Sequence, residues 1–290
     1  GQVADFLLFL FNEGRQISSI KGYRSAIATI HTGFADGSSV SDSADLMKLI
    51  KGLFLRRPTV RSLAPPWNLT RVLEALAKPP FEPLHAASLK HVTIKTAFLL
   101  SAASARRRGA IHALSVKDSH LRFENEGVRL IPDPQFLAKN QTLEFLPQPI
   151  FLPKITTVGT EADRVWCPVR ALRCYIKATQ PFRGHHTRLF LSTVNPHTPV
   201  SRDTLSRWLV TAIRLDDSSL GSACIKAHQI RGVASSLALY KGVDIREIMS
   251  AAVWRSPNTF TSTYLLDMSA SEGPVARAVL GRGGATGSSR

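Results

Sequence analysis

Apolar residues recur at helical spacing through the first sixty positions. Val3, Phe6, Leu7, Leu10 and Phe11 form one stripe, and Ile20, Tyr23, Ile27 and Ile30 form a second, so both segments are predicted as amphipathic helices. Asp45–Leu55 predicts a third helix, after a Gly/Ser-rich loop over Thr32–Ser43. Arg56-Arg57-Pro58 and Pro65-Pro66 bracket a basic stretch that reads as a linker. Beyond Trp67 the pattern is mixed. Leu69–Leu76 and His91–Ala105 predict helices, whereas Val128–Pro132, Leu143–Phe145, Ile150–Pro153 and Leu189–Ser192 are short and predict strands and turns. Cys167-Pro168-Val169 puts proline early in a helix, and Thr204–Ile213, Ala227–Tyr240, Ile245–Val253 and Pro257–Leu266 are further helices. Asp244 with Glu247 has capping-box spacing, and Ser256 before Pro257 reads as a cap. The expected fold class is mainly α with a small β-sheet. A helical domain is expected over residues 1–60, a linker over 61–67, a larger domain over 68–280 and a flexible tail over 281–290.

Charge adds a direction to this picture. Lys plus Arg number 37 against 21 Asp plus Glu, a formal net charge of +16. The excess is uneven: residues 1–60 carry 7 basic and 5 acidic side chains, leaving 30 and 16 for the rest. Residues 164–214 hold nine Lys or Arg opposed only by Asp203. A polyanion is the expected partner, with nucleic acid first. Apolar residues make up 44% of the chain, which excludes disorder throughout. The three cysteines, Cys167, Cys174 and Cys224, form neither a disulfide framework nor a metal-binding pair. The apolar run Phe6–Phe11 is far short of a bilayer span of about 20 residues, so no membrane partner is expected. No cleavable signal pattern opens the chain, and Gly1 reads as an excised boundary.

Chemistry on a phosphodiester follows as a question. Metal-assisted cleavage needs clustered carboxylates, and the acidic residues here are scattered. His185-His186 has no nearby carboxylate or cysteine to complete a metal site. A phosphate-cradling Gly-rich loop is also missing, because Gly281-Arg282-Gly283-Gly284 lacks the Gly-Lys-Ser/Thr ending. A metal-free route needs a side-chain nucleophile, guanidinium groups that match two phosphate oxygens, and a proton donor for the leaving oxygen. Ala227-His228-Gln229-Ile230-Arg231 places His228 and Arg231 three apart, on one helix face. Val253-Trp254-Arg255 follows, then Thr263-Tyr264-Leu265, and far upstream stands Ala105-Arg106-Arg107-Arg108-Gly109.

The ordered series Arg, Lys, His-x-x-Arg, Trp, Tyr resembles the catalytic set of tyrosine recombinases, over residues 68–268. Arg107–Leu114, Cys167–Leu172, Leu205–Trp208 and Trp254–Leu265 are most similar to recombinases of eukaryotic DIRS-like and Ngaro-like retrotransposons, with Cryptons as neighbours. The resemblance implies a role for each position. Arg107, chosen because Leu114 follows seven residues on, and Arg231 would grip the scissile phosphate. His228 would hydrogen-bond it and assist proton transfer. Trp254 would donate its indole N–H or pack beside the phosphate. Lys139, in a turn between strands, would be the general acid, with Lys154 as its rival. Tyr264 would be the nucleophile. Two departures stand out: Ala110 occupies a position where the family often has a carboxylate, and the Trp254–Tyr264 gap is one residue longer than usual, to be absorbed by the loop at Arg255–Asn258.

The resemblance also implies a core-binding role for residues 1–60, double-stranded DNA as partner, and a homotetramer on two duplexes in which residues 269–280 dock on a neighbour. It implies no metal, no ATP and no other cofactor. The implied activity is site-specific recombination or integration for a mobile element, in the nucleus. Two alternatives stay open: an inactive DNA-binding relative, and a type IB topoisomerase-like enzyme.

Overall fold

The computed structural model describes residues 1–58, 62–133, 135–136, 148–155, 164–215 and 225–268. Lys139, the strand expected at Leu143–Phe145, Cys224, residue 61 of the expected linker, the segment 269–280 and the tail 281–290 lie outside the described residues. The described chain is mostly helical with one three-stranded antiparallel sheet, and it divides into two compact units, Gly1–Ser62 and the chain from Leu63 onward.

In the first unit, α1 (Gln2–Asn12), α2 (Ile17–Ile30) and α3 (Ala44–Arg56) enclose a core of Leu7, Leu10, Ile17, Ile20, Leu46, Ile50 and Leu53. The stripes read from the sequence supply Leu7, Leu10 and Ile20, whereas Phe6, Tyr23 and Ile30 of the same stripes are exposed. Ser43 caps α3 by accepting from the Leu46 N–H. Arg57, just before the expected linker, folds back onto this unit: its Nη2 donates to the carbonyls of Phe11 and Arg15, and its guanidinium lies 4.0 Å from the Phe11 ring centre.

The second unit is built around α5 (Leu89–Ser104). Its residues Val92–Ser101 are all buried, so it is enclosed on every side, with Thr93, Lys95, Thr96 and Ser101 finding polar partners inside. α4 (Leu69–Leu76) precedes it, and α6 (Arg108–His112), α7 (Pro168–Arg183) and α8 (Arg202–Ile213) follow. α7 and α8 pack directly on α5. The sheet has the order β1 (Leu121–Phe123), β2 (Gly127–Leu130), β3 (Ile150–Pro153). Val128 pairs with Leu152 and Leu130 with Ile150, so the side chains buried from β2 and β3 lie on one face against α5. Glycine is required at 127, where a Cβ would lie 2.3 Å from the Leu152 carbonyl oxygen. Three more helices close the unit: α9 (Gln229–Tyr240), α10 (Ile245–Ala252) and α11 (Pro257–Thr263).

Several local expectations are corrected. β1 has no counterpart in the sequence reading. Leu189–Ser192 is not a strand but contributes a single bridge, Leu191 to Pro199. The helix expected over Ala227–Tyr240 begins two residues later, which leaves His228 at its N-cap. α11 stops at Thr263, so Tyr264 is its C-cap residue, and Ser256 makes no side-chain cap bond. Asp244 does cap α10 through the Arg246 N–H.

Candidate active site

Four segments converge on one cavity of about 840 Å³. The first is the exit from α5. Ala105 adopts a left-handed conformation (φ 49°), which costs a residue with a Cβ about 1–2 kcal/mol. The turn sends Arg106 and Arg107 into the cavity wall before α6 begins. Arg108 also lines it, but is bound to α8 through Ser206 and lies 3.5 Å from Asp203. Among the described residues, nothing accepts a hydrogen bond from Arg107.

The second segment is the start of α9. His228 sits at the cavity mouth with part of its ring exposed. Desolvation by the surrounding walls, then the charges of Lys226 and Arg108, hold its pKa below the ordinary histidine value, so the ring is neutral near pH 7. One turn on, Arg231 is buried, with 4% of its surface exposed. Its Nη2 donates to the Ala252 carbonyl at 2.7 Å, tying α9 to the end of α10. Burial is the main reason its pKa is pushed down to about 10; Arg107 and Arg106 push the same way, while Tyr264 opposes.

The third segment is the turn between α10 and α11, where Val253 takes a left-handed conformation (φ 55°) and folds Trp254 back beneath Arg231. The guanidinium lies 4.3 Å from the indole ring centre and 5.2 Å from that of Tyr264, a double cation–π contact. Trp254 stacks on Phe260 at 5.0 Å and meets Tyr264 at 4.8 Å. It is a buried floor rather than a lining residue, and its Nε1 has no partner among the described residues.

Tyr264 belongs to the fourth segment, and its position is fixed through the main chain. Its N–H donates to Phe260 O at 2.8 Å, and its carbonyl accepts from Ser236 Oγ at 3.3 Å. The same hydroxyl accepts from the Leu266 N–H at 2.9 Å. Space is tight on that face of α9, because a Cβ at Gly232 would stand 3.2 Å from the Tyr264 carbonyl oxygen. Of the loop expected at Arg255–Asn258, only Arg255 and Ser256 precede the helix, and Pro257 and Asn258 belong to α11.

No carboxylate lines this cavity among the described residues, while Arg106, Arg107, Arg108, Arg202, Lys226 and Arg231 do. Nor does any group of three His, Cys, Asp or Glu among them stand ready for a metal. The arrangement is an anion receptor with a phenol on its wall. No protein-family model matches the chain, and no curated protein matches it in sequence. Solved structures do match. A XerH site-specific recombinase bound to a palindromic difH substrate, in a post-cleavage complex, superposes with a TM-score of 0.56 at 15% identity, covering 89% of this chain and 66% of that one. A lambda integrase dimer bound to a COC′ core site gives 0.52 at 14% identity, with coverages of 90% and 62%. The chain therefore spans just under two thirds of these proteins. The fold is that of the tyrosine recombinases.

Within the tyrosine recombinase fold, Arg107, His228, Arg231 and Tyr264 meet at the cavity and Trp254 lies under it. Lys139 falls outside the described residues, but Phe136 and Gln148, on either side of it in sequence, both line the cavity. Its rival Lys154 stands at the far end of β3, with Nζ 3.5 Å from the Asn125 carbonyl. Five extended residues, about 16 Å, separate it from Pro149, which touches Arg106. The sequence reading missed Arg106 as a cavity residue, and it missed Gly232 and Ser236. The triple-arginine run contained the first signal, but spacing singled out only Arg107. Nothing in the sequence marked the other two.

Proposed function

We propose that the protein is a DNA strand-transfer enzyme, a tyrosine recombinase that cuts and rejoins DNA through a phosphotyrosine link. The observation that carries this reading is the meeting of Arg107, His228, Arg231 and Tyr264 on one cavity that no carboxylate lines among the described residues. In the proposed step, the Tyr264 oxygen attacks phosphorus, the bond from phosphorus to the 5′ oxygen breaks, and a 3′-phosphotyrosine forms. Arg107 and Arg231 hold the nonbridging oxygens as charge builds on them. Arg231 acts from a desolvated position, where its charge counts for more than it would in water. Neutral His228 takes up the phenolic proton, and Lys139 gives a proton to the departing 5′ oxygen. Attack by the 5′-hydroxyl of a partner strand reverses the step, so the energy of the broken bond is retained.

The wider reading extends to a helical core-binding role for residues 1–60, a tetramer on two duplexes, and integration of a DIRS-like, Ngaro-like or Crypton element in the nucleus. The net charge of +16 supports the DNA partner. The test is covalent trapping. Protein is incubated with fragmented genomic DNA without divalent metal and stopped with SDS, and the attached DNA is sequenced. Attachment that disappears in Tyr264→Phe is the expected result. Attachment that survives in Tyr264→Phe rejects the nucleophile, and salt-sensitive binding with no attachment points to an inactive relative. Relaxation of supercoiled plasmid by the monomer would point instead to a topoisomerase-like enzyme.

A further inference from the structure

We propose that Arg106 is a third phosphate-binding arginine of this cavity, and that it matches the second negative charge that a phosphodiester gains on attack. The inference rests on the phosphoryl-transfer reading and names a residue that reading does not use. Arg106 lines the cavity beside Arg107 and faces Arg231 closely enough for its charge to disfavour protonation there. Its guanidinium makes one hydrogen bond among the described residues, from Nη2 to the Pro149 carbonyl at 3.0 Å. That leaves most of a five-donor guanidinium unused. Among the described residues its Nε is buried without a partner, and no carboxylate there offsets the burial that pushes its pKa down to about 10.

Desolvated like charges held together cost free energy unless an anion stands between them. An apolar side chain would close the turn after Ala105 without that cost. The guanidinium is therefore explained by what it receives. A resting phosphodiester carries one negative charge, and its pentavalent transition state carries two. Arg107 and Arg231 are enough for the first, and Arg106 adds a charge matched to the second.

Inorganic phosphate at pH 8 is a dianion and can probe the site without a known DNA sequence. The full chain is melted in rising phosphate, with ionic strength matched by chloride. The wild type is expected to gain melting temperature with phosphate. Arg106→Met is expected to need about tenfold more phosphate for the same gain, the loss typical of a charged hydrogen bond. The exposed Arg122→Met is expected to respond as the wild type does. A wild type indifferent to phosphate, or an Arg106→Met protein that responds equally, overturns the proposal. If Arg106→Met does not fold, Arg106→Lys keeps the charge without the fork, and an undiminished response in that variant overturns the proposal as well. Failed Tyr264 trapping beside a normal phosphate response would sink the recombinase reading alone. Successful trapping with an Arg106-independent phosphate response would sink this inference alone.

Discussion

Helix α5 holds one buried cation within it and leads into two half-buried ones just past its end, and the two groups are held in opposite ways. Near its start, Lys95 is fully enclosed, donates to the Leu76 carbonyl at 2.8 Å and is paired with Glu82. Glu82 also accepts a two-bond fork from Arg170 at 2.6 and 3.0 Å. Just past the other end, Arg106 and Arg107 face Arg231 with no carboxylate among the described lining residues. The first cluster carries its own counter-ion and joins the loop after α4 to α5 and α7. The second has none among the described residues and lines the cavity. One helix thus shows charge neutralised within the fold beside charge left facing open space.

The strongest way to break this comparison is to remove the counter-ion from the first cluster. Glu82→Gln leaves Lys95 and Arg170 unpaired and is expected to cost about 3–5 kcal/mol of stability in urea melts, with the phosphate response of the folded fraction unchanged. Arg231→Met does the converse. It is expected to leave folding within about 1 kcal/mol but to lower covalent attachment about 10²–10³-fold, the loss typical of a donor to a developing oxyanion.

Acid separates the clusters again. Burial pushes the Glu82 carboxyl up, but hydrogen bonds from Arg170 and Lys95 outweigh it and leave the pKa below the ordinary 4.5. A lowered folded pKa means that the stability is fully present above 4.5 and lost as pH falls through the folded value. The gap between wild type and Glu82→Gln should therefore shrink below about pH 4.5. At the cavity, His228 should set an acid limb for cleavage with its midpoint below the ordinary 6.5, because its pKa is lowered. Lys226→Ala removes a repelling charge and should move that midpoint upward. The smallest effect is expected from Gly232→Ala. The Tyr264 carbonyl must shift by a few tenths of an ångström, enough to slow cleavage about tenfold with little change in melting.

The sequence reading reached most of the helices because their apolar stripes are also their buried faces, as with Leu46, Ile50 and Leu53 on α3. It put His228 and Arg231 on one helix, and the structure keeps them one turn apart on the cavity although His228 is the N-cap of α9. It missed β1, where three residues, Leu121–Phe123, are too few to show a period. It missed Arg106 for a different reason. A left-handed Ala105 brings Arg106 onto the cavity wall beside Arg107 and Arg108, and alanine gives no sign of that conformation. It ran α11 past Tyr264 because Leu265 and Leu266 continue the apolar pattern, whereas the Ser236 hydroxyl holds that stretch in a non-helical path.

The Ser236 contact has an evolutionary consequence. The hydroxyl engages the carbonyl of residue 264 and the amide of residue 266, groups that nearly every amino acid supplies. Mutation can therefore rewrite the side chains beyond the tyrosine without moving it, provided that position 232 stays small and position 236 keeps a hydroxyl. A site fastened in this way permits long divergence, and the chain keeps its fold at 15% identity to a XerH recombinase while no family model matches its sequence.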